Sequence, residues 1–174
     1  MIKVEVKGIK ETIAHLKKYR KSIDDKKKLF LERLAERGIE LEQEKMADII
    51  YDGSHDSQVG AYWMDDEKIV IAFTGSKVTF IEFGTGTVYE DTHEKASEFG
   101  FTRGTYGKGL GANPPWYFIE PSGKIHGNAE YEAVTSRGNL VVKTYGNPPN
   151  RIVYNTGKEL REEIIKIAKE VFSE

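Results

Sequence analysis

Phe80-Ile81-Glu82-Phe83-Gly84-Thr85-Gly86 divides this chain into two regimes. Apolar residues flank one carboxylate, and a Gly-Thr-Gly turn ends the run. The pattern predicts a strand, or a short buried segment, delivered to a sharp turn. Upstream, helical patterns give way to compact strand patterns. Downstream, residues 84–113 are rich in glycine and poor in periodicity.

Immediately upstream, Val59 to Met64 and Lys68 to Thr74 read as two strands joined by the polar Asp65-Asp66-Glu67. That is a β-hairpin. Gly75-Ser76-Lys77 turns the chain into Val78 to Phe83, so a three-strand meander is expected. One face of it needs a cover.

Helices supply that cover. Ile9, Ile13, Leu16 and Tyr19 recur at helical spacing and predict a first amphipathic helix, Ile9 to about Arg20. Ser22 with Asp25 has the spacing of a capping box, with the shorter Asp in the usual place of Glu. A second, longer helix is expected from about Asp24 to Ile50, with Leu31, Leu34, Gly38, Leu41, Met46 and Ile49 near one stripe. A glycine on that stripe predicts either a close crossing or a kink; in a helix interior it costs about 1 kcal/mol against alanine. Before both helices, Ile2, Val4 and Val6 alternate as in a short half-buried strand.

Beyond the decisive stretch, Gly84 to Asn113 reads as a long loop, of the kind that is functional or disordered in compact domains. Pro114-Pro115-Trp116-Tyr117-Phe118 is an extended apolar anchor. Tyr131 to Thr135 and Asn139 to Tyr145 predict a second hairpin within the 114–150 region. Thr156 with Glu159 forms a capping box, and Leu160, Ile164, Ile167, Ala168 and Val171 form a stripe. A closing helix from about Gly157 to Phe172 follows. The expected fold class is α+β: an antiparallel sheet packed against a long helix of the N-terminal half and a C-terminal helix, in one domain over 1–174.

Composition excludes more than it selects. The 174 residues hold 26 lysines and arginines against 28 acids, a net charge of −2. A uniformly basic nucleic-acid binder is not indicated. The absence of cysteine rules out disulfide scaffolds, thiolate zinc sites and thiol catalysis. No apolar run approaches the roughly 20 residues of a membrane span. Met1-Ile2-Lys3-Val4-Glu5 lacks a signal-peptide core, so a cytoplasmic protein is expected.

The chemical motifs fail on inspection. A dinucleotide fingerprint starting at Gly84 would need a third glycine where Tyr89 stands. A P-loop ending at Gly107-Lys108 would begin at Thr102 and lacks the Ser or Thr that should follow the lysine. His93-Glu94 opens a zinc-protease motif whose second histidine is replaced by Ser97. His15, His55, His93 and His126 show no metal-ligand spacing, so no metal, cofactor or catalytic residue is expected. Two alternatives remain on the page. The basic cluster Lys17, Lys18, Arg20, Lys21, Lys26, Lys27 and Lys28 is either a solvated helix face or a contact for nucleic-acid phosphates. Glu82, among apolar neighbours, is either an acceptor for backbone amides of the following turn or the base of a small hydrolase with a distant histidine.

The apolar-Glu-Phe-Gly-Thr turn formed by Ile81, Glu82, Phe83, Gly84 and Thr85 resembles a signature of tailed-phage proteins. These are the small head–tail joining or tail-completion proteins, also described as minor tail or neck components. Pro148 and Pro149, then Tyr154 and Asn155, then the closing helix resemble the order in which that family continues. Trp116 to Tyr145 is similar to the aromatic hairpin inserted in members from Gram-positive phages. Arg151-Ile152 departs from the Pro-Phe common in that family. The resemblance implies a non-enzymatic prophage or virion subunit. It would form a homo-oligomeric ring in the neck, between a portal-proximal connector and tail-tube or tail-terminator proteins, with DNA in transit and no membrane. Assembly would take place in the host cytoplasm. Glu82, Phe83, Gly84 and Thr85 would then form a structural turn, and Trp116, Tyr117, Phe118 and Tyr154 are the interface candidates.

Overall fold

The computed structural model describes residues 8–86, 88–89, 93–101, 113–125 and 127–173. The expected strand Ile2 to Val6 and the glycine-rich run from Gly104 to Gly111 lie outside them. The fold class is α+β, with two antiparallel sheets and two long helices among the described residues.

The two helices expected at the N-terminus are one. Helix α1 runs unbroken over Ile9–Ala47, about 58 Å at 1.5 Å per residue. Ser22 and Asp25 lie inside it and cap nothing. The segment between the expected helices has no glycine or proline to stop propagation, and Asp24 reaches Arg20 one turn back at 4.0 Å. Only the second half of α1 is buried, at Ala35, Gly38, Leu41 and Glu42.

Strands β1 (Gln58–Asp65) and β2 (Lys68–Thr74) form the expected hairpin, registered from Gln58 opposite Thr74 to Asp65 opposite Lys68. The meander stops there. Val78–Phe83 is a short helix, α2, not a third strand. Its run of apolar and β-branched residues is too short for periodicity to separate strand from helix. The helical turn puts Ile81 and Glu82 side by side, and both are buried.

A second sheet holds β3 (Trp116–Glu120), β4 (Glu130–Val134) and β5 (Leu140–Thr144), in the order β3-β5-β4. The expected second hairpin, Tyr131 to Thr135 with Asn139 to Tyr145, is β4–β5, and β3 pairs on its other side. The single expected sheet is therefore two.

Helix α3 (Ile152–Phe172) starts five residues before its expected beginning. It lies antiparallel on α1: Lys45 meets Glu159 at 2.8 Å, Arg37 meets Glu163 at 3.0 Å, and the Phe30 and Phe172 rings lie 6.2 Å apart. Gly38 marks the close crossing. A Cβ there would fall inside the Ile71 side chain of β2 and 3.2 Å from Leu160 of α3. Ile81, Ile152 and Tyr51 form the core where α2, the start of α3 and the end of α1 converge, with Met46, Ile49, Phe73 and Phe80 around them.

Candidate functional site

The Glu82–Thr85 turn sits in that convergence. Gly84 follows α2 at φ 74° and ψ 175°, a region nearly restricted to glycine. A Cβ at Gly84 would lie 2.6 Å from Pro149 N and 2.8 Å from Asn147 O. The backbone of Gly146-Asn147-Pro148-Pro149 therefore runs directly against the turn. Thr85 N donates to Asn147 O at 2.8 Å, and Asn147 N returns the bond to Thr85 O at 3.2 Å. Asn150 N and Arg151 N donate to the carbonyls of Ile81 and Glu82 at 3.0 and 3.2 Å. Four backbone hydrogen bonds thus tie Ile81, Glu82 and Thr85 to the segment that leads into α3.

Two asparagine side chains complete the joint. Asn147 Oδ1 accepts Asp52 N at 2.7 Å. Asn150 Oδ1 accepts Ile50 N at 2.8 Å, while its Nδ2 donates to Ile50 O at 3.0 Å and Ile81 O at 3.1 Å. The amide thereby imitates a backbone partner for the chain leaving α1. Asp52 is buried, accepts from Asn128 N at 2.6 Å and from the Thr144 hydroxyl, and ties the second sheet to the same place. Burial raises its pKa above the ordinary aspartate value, and these hydrogen bonds pull the other way.

Glu82 is the centre of charge. Its Oε2 accepts Val153 N at 3.0 Å, and its Oε1 accepts Tyr154 N at 3.0 Å and meets His93 Nε2 at 3.1 Å. Val153 and Tyr154 lie in the first turn of α3, so Glu82 supplies the cap that helix lacks locally. Arg151, at the N-cap position, makes no side-chain cap bond, and Thr156 is buried inside the helix. The expected capping box of Thr156 and Glu159 is corrected accordingly: Glu159 pairs with Lys45 instead. A carboxylate at a helix N-terminus also complements the helix dipole. Glu82 is thus an acceptor for backbone amides, as one reading of the sequence expected, but they are those of α3 and not of the turn that follows it.

The sequence offered His93 only as the start of a zinc-protease motif that fails at Ser97. Its Nδ1 accepts Lys95 N at 2.9 Å, so the proton of the neutral ring sits on Nε2 and is donated to Glu82. Both imidazole nitrogens are engaged, and Glu82 already receives three donors. A base facing substrate needs a free lone pair; both ring nitrogens of His93 are taken, while three donors fill three of the roughly four acceptor sites of the Glu82 carboxylate. Above it Phe83 stacks on Phe101 at 4.5 Å, with rings 11° apart, and tilts over His93 at 4.6 Å. Tyr154 meets His93 edge-on at 5.1 Å. These aromatics, with Phe73, Val78 and Phe99, line an open cleft of about 420 Å³ that Glu82 and His93 also border. Among the described residues no cluster of three or more histidines and acids is placed to hold a metal.

No protein-family model matches this chain, and no curated protein and no solved structure matches it.

The interface candidates separate. Trp116 is buried and Phe118 half-buried on the inner face of β3, while Tyr117 is 54% exposed on the outer face beside exposed Ile119. Tyr154 belongs to the cleft. The loop expectation is also divided: Thr85, Gly86 and His93 are buried, so the first part of 84–113 is core. Deleting the whole segment would remove part of the fold.

The basic cluster lies along the exposed half of α1. Lys27 reaches Glu67 at 2.5 Å and Lys28 lies 5.6 Å from the Trp63 ring centre, which fastens this end to the β1–β2 turn. Lys17, Lys18 and Lys21 are exposed. Among the described residues no helix is long and apolar enough to cross a membrane.

Proposed function

We propose that this chain is a structural subunit of a tailed-phage neck, joining a DNA-filled head to its tail as one member of a ring. The observation that carries the reading is the meeting of its two key segments. Ile81 to Thr85 and Asn147 to Tyr154, separated in sequence, close on each other through backbone pairing and the Glu82 cap. The letters that resemble the phage family therefore form one structural joint. The hydrogen bonds of Glu82 to two amides of α3 and to His93 give both side chains a structural role, which supports a subunit over a hydrolase.

A ring subunit needs surfaces that pair head to tail and close. This chain offers the open edges β3 and β4, the latter exposed along its length, and the exposed half of α1. Its partners would be further copies of itself, a portal-proximal connector and tail-tube or tail-terminator proteins. Its location would be the virion neck, with assembly in the host cytoplasm.

The test is electron microscopy of a lysate from which this gene is deleted. Separate DNA-filled heads and finished tails, rejoined when the gene is supplied in trans, are expected. Joined particles in normal yield would overturn the reading. A second reading, a nucleic-acid-binding module, rests on the Lys17–Lys28 cluster, in which Lys17, Lys18, Arg20, Lys21 and Lys28 are exposed. Duplex binding that weakens steeply with salt would favour it.

A further inference from the structure

Every residue from Gly8 to Asp25 is exposed. This is unusual because the segment is amphipathic. Ile9, Ile13, Leu16, Tyr19 and Ile23 are all exposed apolar residues, with Leu16 at 61% and Tyr19 at 67%. Ile9, Ile13, Leu16, Arg20 and Ile23 follow steps of four and three, the spacing of a helix–helix seam. One turn or two further on, the helix is covered by α3. Phe172, at the end of α3, meets Phe30, so the seam between the helices runs off the end of α3 and continues uncovered. Some 21 residues of α1 extend past that point, roughly 30 Å.

Charge divides at the same place. The uncovered residues 9–25 carry five lysines and arginines against three acids, whereas residues 29–174 carry 16 against 24. A chain of nearly zero net charge is therefore a basic arm on an acidic body. Two arms laid side by side would bring like charges together. An arm laid on the body of another copy brings opposite charges together and buries the apolar seam. A duplex would meet the lysines but leave Ile13 and Leu16 in water. A bilayer surface calls for a wider apolar face than this narrow seam.

We infer that the α1 arm, residues 9–25, docks on the acidic body of a second copy of this chain. This deepens the proposed function, on which it rests, by assigning the arm as the head-to-tail contact that builds the ring. The contact is heterologous: one surface of each copy is the arm and the other is the body.

The native chain has no cysteine, so one introduced cysteine gives a unique label. Full-length Ile13→Cys carrying a benzophenone is mixed as light and heavy-isotope copies, irradiated, and mapped by mass spectrometry. Adducts are expected between the arm of one copy and the body of the other, and they should fade in about 1 M salt, where screening reaches within about 3 Å. Sedimentation of the unlabelled chain should show self-association, weakened about tenfold or more by Leu16→Asp and weakened also by Lys17→Glu with Lys18→Glu. Circular dichroism checks that these variants stay folded.

Adducts confined to the same copy, or running from arm to arm, would overturn the inference. So would a chain that stays monomeric to about 1 mM, or an arm that captures duplex DNA or phosphatidylglycerol vesicles while copies remain apart. Failure here is separable from failure of the neck reading. If Leu16→Asp still joins heads to tails, the arm assignment falls and the neck reading stands. If the deletion lysate still yields joined particles while purified copies crosslink arm to body, the neck reading falls and the arm assignment stands.

Discussion

The carboxylate of Glu82 caps a helix that begins seventy residues later, accepting Tyr154 N at 3.0 Å with one oxygen and Val153 N at 3.0 Å with the other. The same carboxylate holds His93 at 3.1 Å. Glu82→Gln keeps the shape but turns one acceptor into a donor. At least one buried N–H group then faces another. Losing a cap costs about 0.5–2 kcal/mol, and a buried unpaired donor about 1–3 kcal/mol. Urea unfolding should show Glu82→Gln destabilised by about 2–4 kcal/mol, with α3 frayed by hydrogen exchange at Val153 and Tyr154. A loss within about 0.5 kcal/mol, the range of ordinary surface substitutions, would remove Glu82 from its place at the centre of the joint.

Gly84 and Gly100 have nearly the same φ, 74° and 75°, in different surroundings. A Cβ at Gly100 meets nothing within 4 Å, whereas one at Gly84 meets Pro149 N at 2.6 Å. Backbone atoms of a paired segment have little room to give. Gly100→Ala should cost about 1–2 kcal/mol, the left-handed penalty alone. Gly84→Ala should cost more, about 3 kcal/mol or above, by adding the clash and the glycine-only ψ. Paired denaturant curves decide the order. Equal losses would mean that the 146–149 segment yields without penalty.

Glu42 on α1 is 2% exposed, and its Oε2 has no hydrogen-bond partner among the described residues. Burial, with a smaller contribution from the Glu82 charge, pushes its pKa up to about 7 from 4.5. Between those values the folded protein holds a proton that the unfolded chain releases. Its contribution is intact below pH 4.5, declines as pH rises, and is gone by about pH 7. The full swing is about 3 kcal/mol. Glu42→Met should remove this slope and leave the variant more stable than the parent at pH 8. Asp52, also raised, acts in the same direction, so the informative quantity is the difference between the two stability profiles at pH 5 and pH 8. A constant difference would refute the assignment.

The legible parts of this fold were those whose signals are local. Alternation around Asp65-Asp66-Glu67 fixed the first hairpin, and the stripe from Leu160 to Val171 fixed most of α3. The start of α3 was misread because Thr156 and Glu159 look like a cap, while the group that serves sits on α2. Val78 to Phe83 has the composition of a strand, and tertiary contacts override it. Of the site, Glu82 stood out by its apolar neighbours. His93 did not, since nothing near it in sequence reveals that Lys95 N and Glu82 will take its two nitrogens. The merging of two helices into α1 followed from the absence of any breaker, which polar Ser22 and Asp25 do not provide.

Asn150 gives the sharpest test of the joint, because one atom can be changed. Its Nδ2 donates to Ile50 O and Ile81 O while its Oδ1 accepts Ile50 N. Asn150→Asp is isosteric and keeps the acceptor. The donor becomes a carboxylate oxygen set about 3 Å from two carbonyl oxygens, a repulsive contact that Ala would not create. Asn150→Asp should therefore destabilise by about 2–3 kcal/mol at pH 7 and by more than Asn150→Ala. Acidification should restore part of the loss, since a protonated aspartate regains one donor. Its carboxyl pKa in the folded protein is then raised, so the deficit against the parent grows as pH rises and shrinks as pH falls. Unfolding curves of both variants at pH 4 and pH 7 measure it. If Asn150→Asp is no worse than Asn150→Ala, the side chain is filling space at the end of α1 and not pairing its backbone.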